Sequence, residues 1–262
     1  MKKLIFLVAF IAFMAMESTA QATFQVRQRA TDSKGLVYDR ENIYFVRPHT
    51  NGLSFGFSKG RSKSYYKTKY FGVEVGFTRH PKETRQSGDS NVSAVSGTQF
   101  SGSFVLGKQN SLFNVRMMWG TKYFISDKGG YRGVAVGYSY EYGPILALIK
   151  PYYLDIQYSN DANAVPVKYS EANRAIFLDN FSGNIIGASS VSKGWDSVKP
   201  LPGIHGKAAL HFDFAATDEY VRALECGVML DLYPKKVPIM IDVENRPFFL
   251  NVFANFMLGK RR

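Results

Sequence analysis

Residues 248–258 alternate without a break. Phe248, Leu250, Val252, Ala254, Phe256 and Leu258 carry no polar side chain, while Phe249, Asn251, Phe253, Asn255 and Met257 mix aromatic with amide groups. A period of two puts these sets on opposite faces of one strand. About eleven residues of strand are also enough to cross a hydrocarbon layer at a tilt. Beyond the N-terminal run Leu4–Met16, no segment approaches the ~18 consecutive apolar residues of a spanning helix. A chain that enters lipid on strands must close them into a barrel, because lipid offers no partner to an open edge.

The same two-faced code recurs upstream. Residues 111–125 set Phe113, Val115, Met117, Trp119, Thr121, Tyr123 and Ile125 against Asn114, Arg116, Met118, Gly120 and Lys122. Strand-like segments fall at 41–49, 53–60, 65–78, 100–106, 111–125, 131–142, 145–158, 206–214, 219–233 and 248–258, which predicts an all-β, antiparallel up-and-down barrel of about ten strands, within a range of eight to twelve. Thr50-Asn51-Gly52 is a hairpin signal. With both termini on one side, the connections 61–64, 107–110, 143–144 and 215–218 fall on that side, and the long ones, 79–97, 159–203 and 234–246, on the other. Short turns at one end and long loops at the other are the rule of membrane barrels. The composition agrees: 21 Phe and 16 Tyr favour strands and membrane interfaces, and 23 Gly favour turns and crowded lumens. Tyrosines near strand ends, including Tyr142, Tyr152 and Tyr233, are candidates for interfacial girdles.

The N-terminus begins Met1-Lys2-Lys3, continues apolar to Met16, and reaches small residues at Ser18-Thr19-Ala20-Gln21-Ala22. This is the arrangement of a secretory signal peptide, residues 1–20, cleaved after Ala20 or Ala22. Residues 21–40 then form a periplasmic arm, and 41–262 the barrel. The formal net charge is +12. In an exported barrel that excess points to outer-membrane lipid and lipopolysaccharide phosphates, or to a solvated rim, and not to nucleic acid. Cys226 is the single cysteine, so no internal disulfide can form; on an apolar strand face it reads as a buried small hydrophobe.

In a membrane barrel the apolar face looks outward and the polar face lines the lumen. The lumen set is then Glu74, Arg116, Lys122, Glu141, Lys207, His211, Asp213, Glu225 and Asp231. Both signs are present, and in a narrow bore they are expected to pair and fill it as a structural network. His211, Asp213 and Glu225 with a serine would also suit an esterase, yet no G-x-S-x-G elbow marks a nucleophile. His80-Pro81-Lys82-Glu83 ends a strand at a turn; with histidines scattered at 49, 80, 205 and 211, a zinc set is not formed by spacing. No phosphate loop or dinucleotide fingerprint occurs, and no cofactor is implied.

Several of these pieces together resemble a family of uncharacterised outer-membrane β-barrel proteins of Bacteroidota. They are Thr50-Asn51-Gly52, Tyr65-Tyr66-Lys67 leading to His80-Pro81-Lys82-Glu83, Lys150-Pro151 before Tyr152-Tyr153-Leu154, and the run Asp231-Leu232-Tyr233-Pro234-Lys235-Lys236-Val237-Pro238-Ile239-Met240. The resemblance spans about residues 41–262 and implies an outer-membrane location, with no assigned activity and no catalytic residue. The expectation is therefore a non-enzymatic structural or accessory barrel of the cell envelope, with outer-membrane lipid, lipopolysaccharide and a larger envelope complex as its candidate partners. The alternatives are a small porin-like channel and, less favoured, a lipid A-modifying enzyme.

Overall fold

The computed structural model describes residues 38–87, 103–126, 133–157, 164–178 and 185–262. The expected signal peptide, most of the arm 21–40 and parts of the loops 79–97 and 159–203 lie outside the described residues. The strands are β1 (Arg40–His49), β2 (Gly52–Ser64), β3 (Lys67–Thr78), β4 (Arg85–Ser87), β5 (Ser103–Val105), β6 (Asn110–Phe124), β7 (Ala135–Pro151), β8 (Tyr153–Ile156), β9 (Val165–Lys168), β10 (Ile185–Ala188), β11 (Lys199–Asp213), β12 (Tyr220–Leu232) and β13 (Phe248–Arg261), with a short helix α1 (Arg174–Leu178) after β9. Eight of them close a barrel in the order β1-β2-β3-β6-β7-β11-β12-β13. Each barrel strand pairs antiparallel with the next barrel strand in the chain, and the seam joins β1 to β13 from Glu41↔Arg261 to His49↔Phe253. Closure leaves no unpaired edge in the wall. Two small sheets, β4-β5 and β10-β8-β9, occupy the connections 79–109 and 152–198.

Eight strands replace the ten expected from the sequence, for two physical reasons. Within the expected strand 100–106 the described part, from residue 103, forms only the short β5, Ser103–Val105, which pairs with β4 outside the barrel. Phe104 and Val105 are buried beneath the connections, so their apolar character serves a loop core and not the wall. The segments 131–142 and 145–158 are largely one strand, β7, which passes straight through Gly143-Pro144. Gly-Pro reads as a turn. Here it marks a lapse in a single ladder: pairing with β6 breaks between Trp119↔Tyr142 and Arg116↔Ile145, while Pro144 stays opposite Ile204 on the other side. Proline has no N–H to give, so the wall omits bonds on one side only. A Cβ at Gly143 would lie 1.9 Å from the Met117 carbonyl oxygen, so the close approach of β6 requires glycine.

The two extra strands together leave the parity of the later connections unchanged. The long connections 79–109, 152–198 and 233–247 still gather at one end, with the tight turn at 50–51. The other end carries the turn 65–66, the connections 125–134 and 214–219, the start of β1 and the end of β13. The connection after β6, expected on the long-loop side, therefore joins the end that holds the barrel's two chain ends.

The wall is inverted relative to a water-soluble barrel. On β13, Phe248, Leu250, Val252, Phe256 and Leu258 are exposed, with Val252 at 59 %, while Phe249, Asn251, Phe253, Asn255 and Met257 are buried. Elsewhere Val73, Val75, Met117, Trp119, Leu146, Leu210 and Val228 face out. Cys226 corrects an expectation. It is exposed on the outer face between Leu224 and Val228, because the apolar face of this strand is the outer one. The girdle candidates divide: Tyr142 sits outward in mid-strand, and Tyr233 turns inward and is buried. Near the end that carries the chain ends, Tyr123 stacks on Tyr138 at 5.2 Å.

Inside, apolar layers bracket a charged middle. At the long-loop end, Val237, Ile239 and Met240 fold into the mouth and pack with Leu112, Ile145, Ile149, Tyr233 and Phe249. Asn245 holds that inward turn by accepting the N–H of Ile239 at 3.0 Å and donating to the Met240 carbonyl at 2.9 Å. Towards the other end, Ile43, Phe45, Met118, Val221, Ala223 and Met257 form a second apolar layer. Lumen-facing glycines make room for rings: a Cβ at Gly56 would stand 2.2 Å from the Phe45 ring, and one at Gly120 would stand 2.2 Å from the Tyr70 ring.

Candidate functional site

The candidate site is the charged middle of the lumen. Successive inward positions on neighbouring strands bring charges of both signs to one level, since inward residues recur every second position. Arg116 on β6 is fully buried. It donates from Nη1 to Glu74 at 2.5 Å, from Nη2 to Asp231 at 2.6 Å, and from Nε to the second Asp231 oxygen at 3.2 Å. Arg47 on β1 pairs with Glu74 at 2.6 Å and, straight across the lumen, with Glu141 on β7 at 3.0 Å. Its guanidinium also lies over the rings of Phe45 and Phe253, at 4.9 and 5.1 Å. Lys207 bridges Glu141 at 3.1 Å and Glu225 at 2.9 Å. Tyr70 donates to Glu141 at 2.9 Å, and Asn255 to Glu225 at 3.0 Å. A separate cluster near the chain ends joins Lys122 to Glu41 at 3.0 Å and Arg261 to Asp213 at 2.7 Å.

All nine residues assigned to the lumen from the sequence, Glu74, Arg116, Lys122, Glu141, Lys207, His211, Asp213, Glu225 and Asp231, are buried inside the barrel. Seven belong to the central network, while Lys122 and Asp213 belong to the second cluster. Residues missed by the sequence reading are Arg47, His205, Glu41 and Arg261. Arg47 and Glu41 were within reach, because both share the inward phase of Ile43 and Phe45. His205 lies beyond the expected start of its strand, in a β11 that begins at Lys199. There its Nδ1 sits 2.6 Å from Asp231.

The geometry separates a structural network from a nucleophilic one. Ser139 donates to Glu225 Oε1 at 2.9 Å, and the Nδ1 of His211 lies 3.1 Å from the same oxygen. A serine hydrolase needs histidine between serine and carboxylate, so that the imidazole can take the hydroxyl proton. Here the carboxylate stands between them. Asp213 turns away to Arg261 and to the N–H of Ala215 at 3.0 Å. What this arrangement can do is neutralise charge and fill space.

Outside the wall, His80 organises a turn. Its N–H donates to Glu83 at 2.9 Å, and its Nδ1 accepts the Lys82 N–H at 3.2 Å. Partial burial, with Lys82 and Arg246 nearby, pulls this imidazole below the usual histidine range against the opposing pull of Glu83. Burial pushes the Tyr152 phenol up, although it accepts the Val105 N–H at 3.2 Å. Among the described residues no cluster of histidine, cysteine and carboxylates has the makings of a metal site.

No family profile matches the chain, and no curated protein does. Among solved structures, the chain is similar to the N-terminal β-barrel domain of Pseudomonas aeruginosa OprF, at 9 % identity and a TM-score of 0.35, covering 86 % of this chain and 98 % of that one. It is also similar to Neisserial surface protein A (NspA), at 8 % identity and a TM-score of 0.33, covering 84 % and 94 %. The translocator domain of the autotransporter NalP from Neisseria meningitidis follows at 10 % identity and a TM-score of 0.22, covering 86 % and 88 %. Scores this low carry no argument about descent or activity, and the eight-stranded barrel stands on its own hydrogen-bonded ladder.

Proposed function

We propose that the chain is an integral outer-membrane β-barrel with a structural or accessory role in the cell envelope, its lumen closed by its own side chains. One observation carries this reading: the wall exposes an apolar surface on its outside and buries a paired ionic network on its inside. In water that arrangement would expose far more apolar area than a soluble protein tolerates, whereas in lipid it is the favourable one. The outer-membrane address, the lipid and lipopolysaccharide partners and the kinship with Bacteroidota barrels belong to the same reading. The last rests on the motifs quoted above. No catalytic step enters it, since Glu225 separates Ser139 from His211. A larger envelope complex would meet the long-loop end.

Two measurements test this. Cys226 lies on the outer wall, so in reconstituted vesicles a charged maleimide should leave it unmodified while an apolar maleimide labels it. Rapid labelling by both reagents would sink the bilayer reading. A channel is tested in planar bilayers. The purified barrel should give no discrete openings, because Arg47, Arg116, Glu74 and Asp231 fill the bore at no more than 1 % exposure. Stepwise conductance would replace the structural role with a channel.

A further inference from the structure

Leu112 and Ile149 point into the lumen, so their neighbours Ser111, Phe113 and Lys150 face outward at the long-loop end of β6 and β7. Over these three, residues 79–85, 103–108, 151–153 and 188–193 line an open cavity of about 250 Å³. Its charge is one-sided. Arg79, Arg85, Lys108, Lys150 and Lys193 line it, against the single carboxylate Glu83 among the described residues. Glu83 is already engaged, accepting from Lys108 Nζ at 2.8 Å and from the His80 N–H at 2.9 Å.

Lys150 is the most informative of these. It is 6 % exposed, yet among the described residues no carboxylate pairs with it. Its ammonium donates to the Val191 carbonyl and lies 5.4 Å from the centre of the Trp195 ring. In the lumen the buried cations Arg47, Arg116, Lys122 and Lys207 each have a carboxylate within 3.1 Å. A buried charge without a counter-ion is costly, and an anion in the cavity would offset that cost. The Ser189 hydroxyl, also at the cavity wall, is buried without a hydrogen-bond partner among the described residues. Phe113 belongs both to the cavity lining and to the outward row with Val115, Met117 and Trp119 that runs down the wall.

We propose that this cavity binds the phosphate of an anionic lipid headgroup, with Lys150 as its most buried cation, Arg79, Arg85 and Lys193 around it, and the lipid chains laid along the row below Phe113. The lipid source rests on the bilayer reading above; the phosphate chemistry does not. The chain has two tryptophans, so Trp119→Phe leaves Trp195, beside Lys150, as the sole reporter. In detergent micelles, bis-phosphorylated lipid A should change Trp195 fluorescence saturably, and dephosphorylated lipid A should not. Lys150→Gln should weaken that binding at least about tenfold, the scale of one charge-assisted hydrogen bond. Lys236→Gln, outside the cavity, should leave it unchanged. Equal affinity for glucosamine 1-phosphate or inorganic phosphate would support the phosphate site and overturn lipid as its source. No saturable response to any phosphate, or an equal response to dephosphorylated lipid A, overturns the proposal. Heat-modifiable gel migration verifies that each variant forms the barrel. Failure to enter vesicles would defeat the bilayer reading and still leave the soluble-phosphate titration to decide the site.

Discussion

Arg116→Met should destabilise the folded barrel by about 3–5 kcal/mol, the scale measured when one partner of a buried ion pair is removed. Arg116 is fully buried and forks between Glu74 and Asp231, with a further bond to Ser54 at 3.3 Å. Methionine fills part of the volume but leaves both carboxylates facing a lumen that already contains Glu141 and Glu225. Arg47 retains a hold on Glu74, and His205 on Asp231, so the loss stays below that of two orphaned charges. The check is urea unfolding in lipid vesicles, followed by gel migration and tryptophan fluorescence. The triple variant Arg116→Met, Glu74→Gln, Asp231→Asn should recover most of the loss, because the desolvated charges leave together. A single-variant loss below about 1 kcal/mol, the value for solvated pairs, would mean that water reaches the middle of the bore.

Val252→Arg should cost about 2–4 kcal/mol in a bilayer, and Phe248→Arg only about 0–1 kcal/mol. Both side chains are exposed on the outer face of β13. Their difference lies in depth: Val252 is near the middle of the apolar run 248–258, and Phe248 begins it beside the long-loop end. A wall that faced water would tolerate either arginine within about half a kilocalorie per mole. The gradient between the two positions, more than either value, is the signature of lipid. Equal small effects at both sites in vesicle unfolding would remove the membrane from the account.

Much of the barrel was legible because period-two alternation depends only on local geometry. The faces of β6, β12 and β13 follow from it residue by residue. The strand count was harder to read. Phe104 looks like wall from its neighbours in sequence, but it is buried with Leu154, Ile156 and Phe177 of the next connection, a partnership no local pattern announces. Gly143-Pro144 carries a strong turn signal, yet β11 keeps pairing on the side that needs no proline N–H. The run 234–246 has the pattern of a loop, and its place in the mouth follows from the long-range contacts of Val237, Ile239 and Met240. Which charges line the lumen could be read from phase; which carboxylate meets which cation could not, because that depends on the register of strands far apart in the chain.

The ion pairs that cross the lumen also bear on how the barrel can form. Arg116 and Asp231 are 115 residues apart, and Lys122 and Glu41 are 81 apart. Arg47 on β1 meets Glu74 on β3 nearby and Glu141 on β7 across the bore, so its second partner arrives only when the sheet has curled halfway round. In the first four barrel strands the buried cations Arg47, Arg116 and Lys122 face only two buried carboxylates, Glu41 and Glu74, so one positive charge waits for the second half. A partly assembled sheet would hold that unbalanced charge against lipid until Glu141 and Asp231 of the later strands arrive. The network therefore favours all-or-none assembly: few populated intermediates, a single unfolding transition, and a seam between β1 and β13 that resists opening by itself.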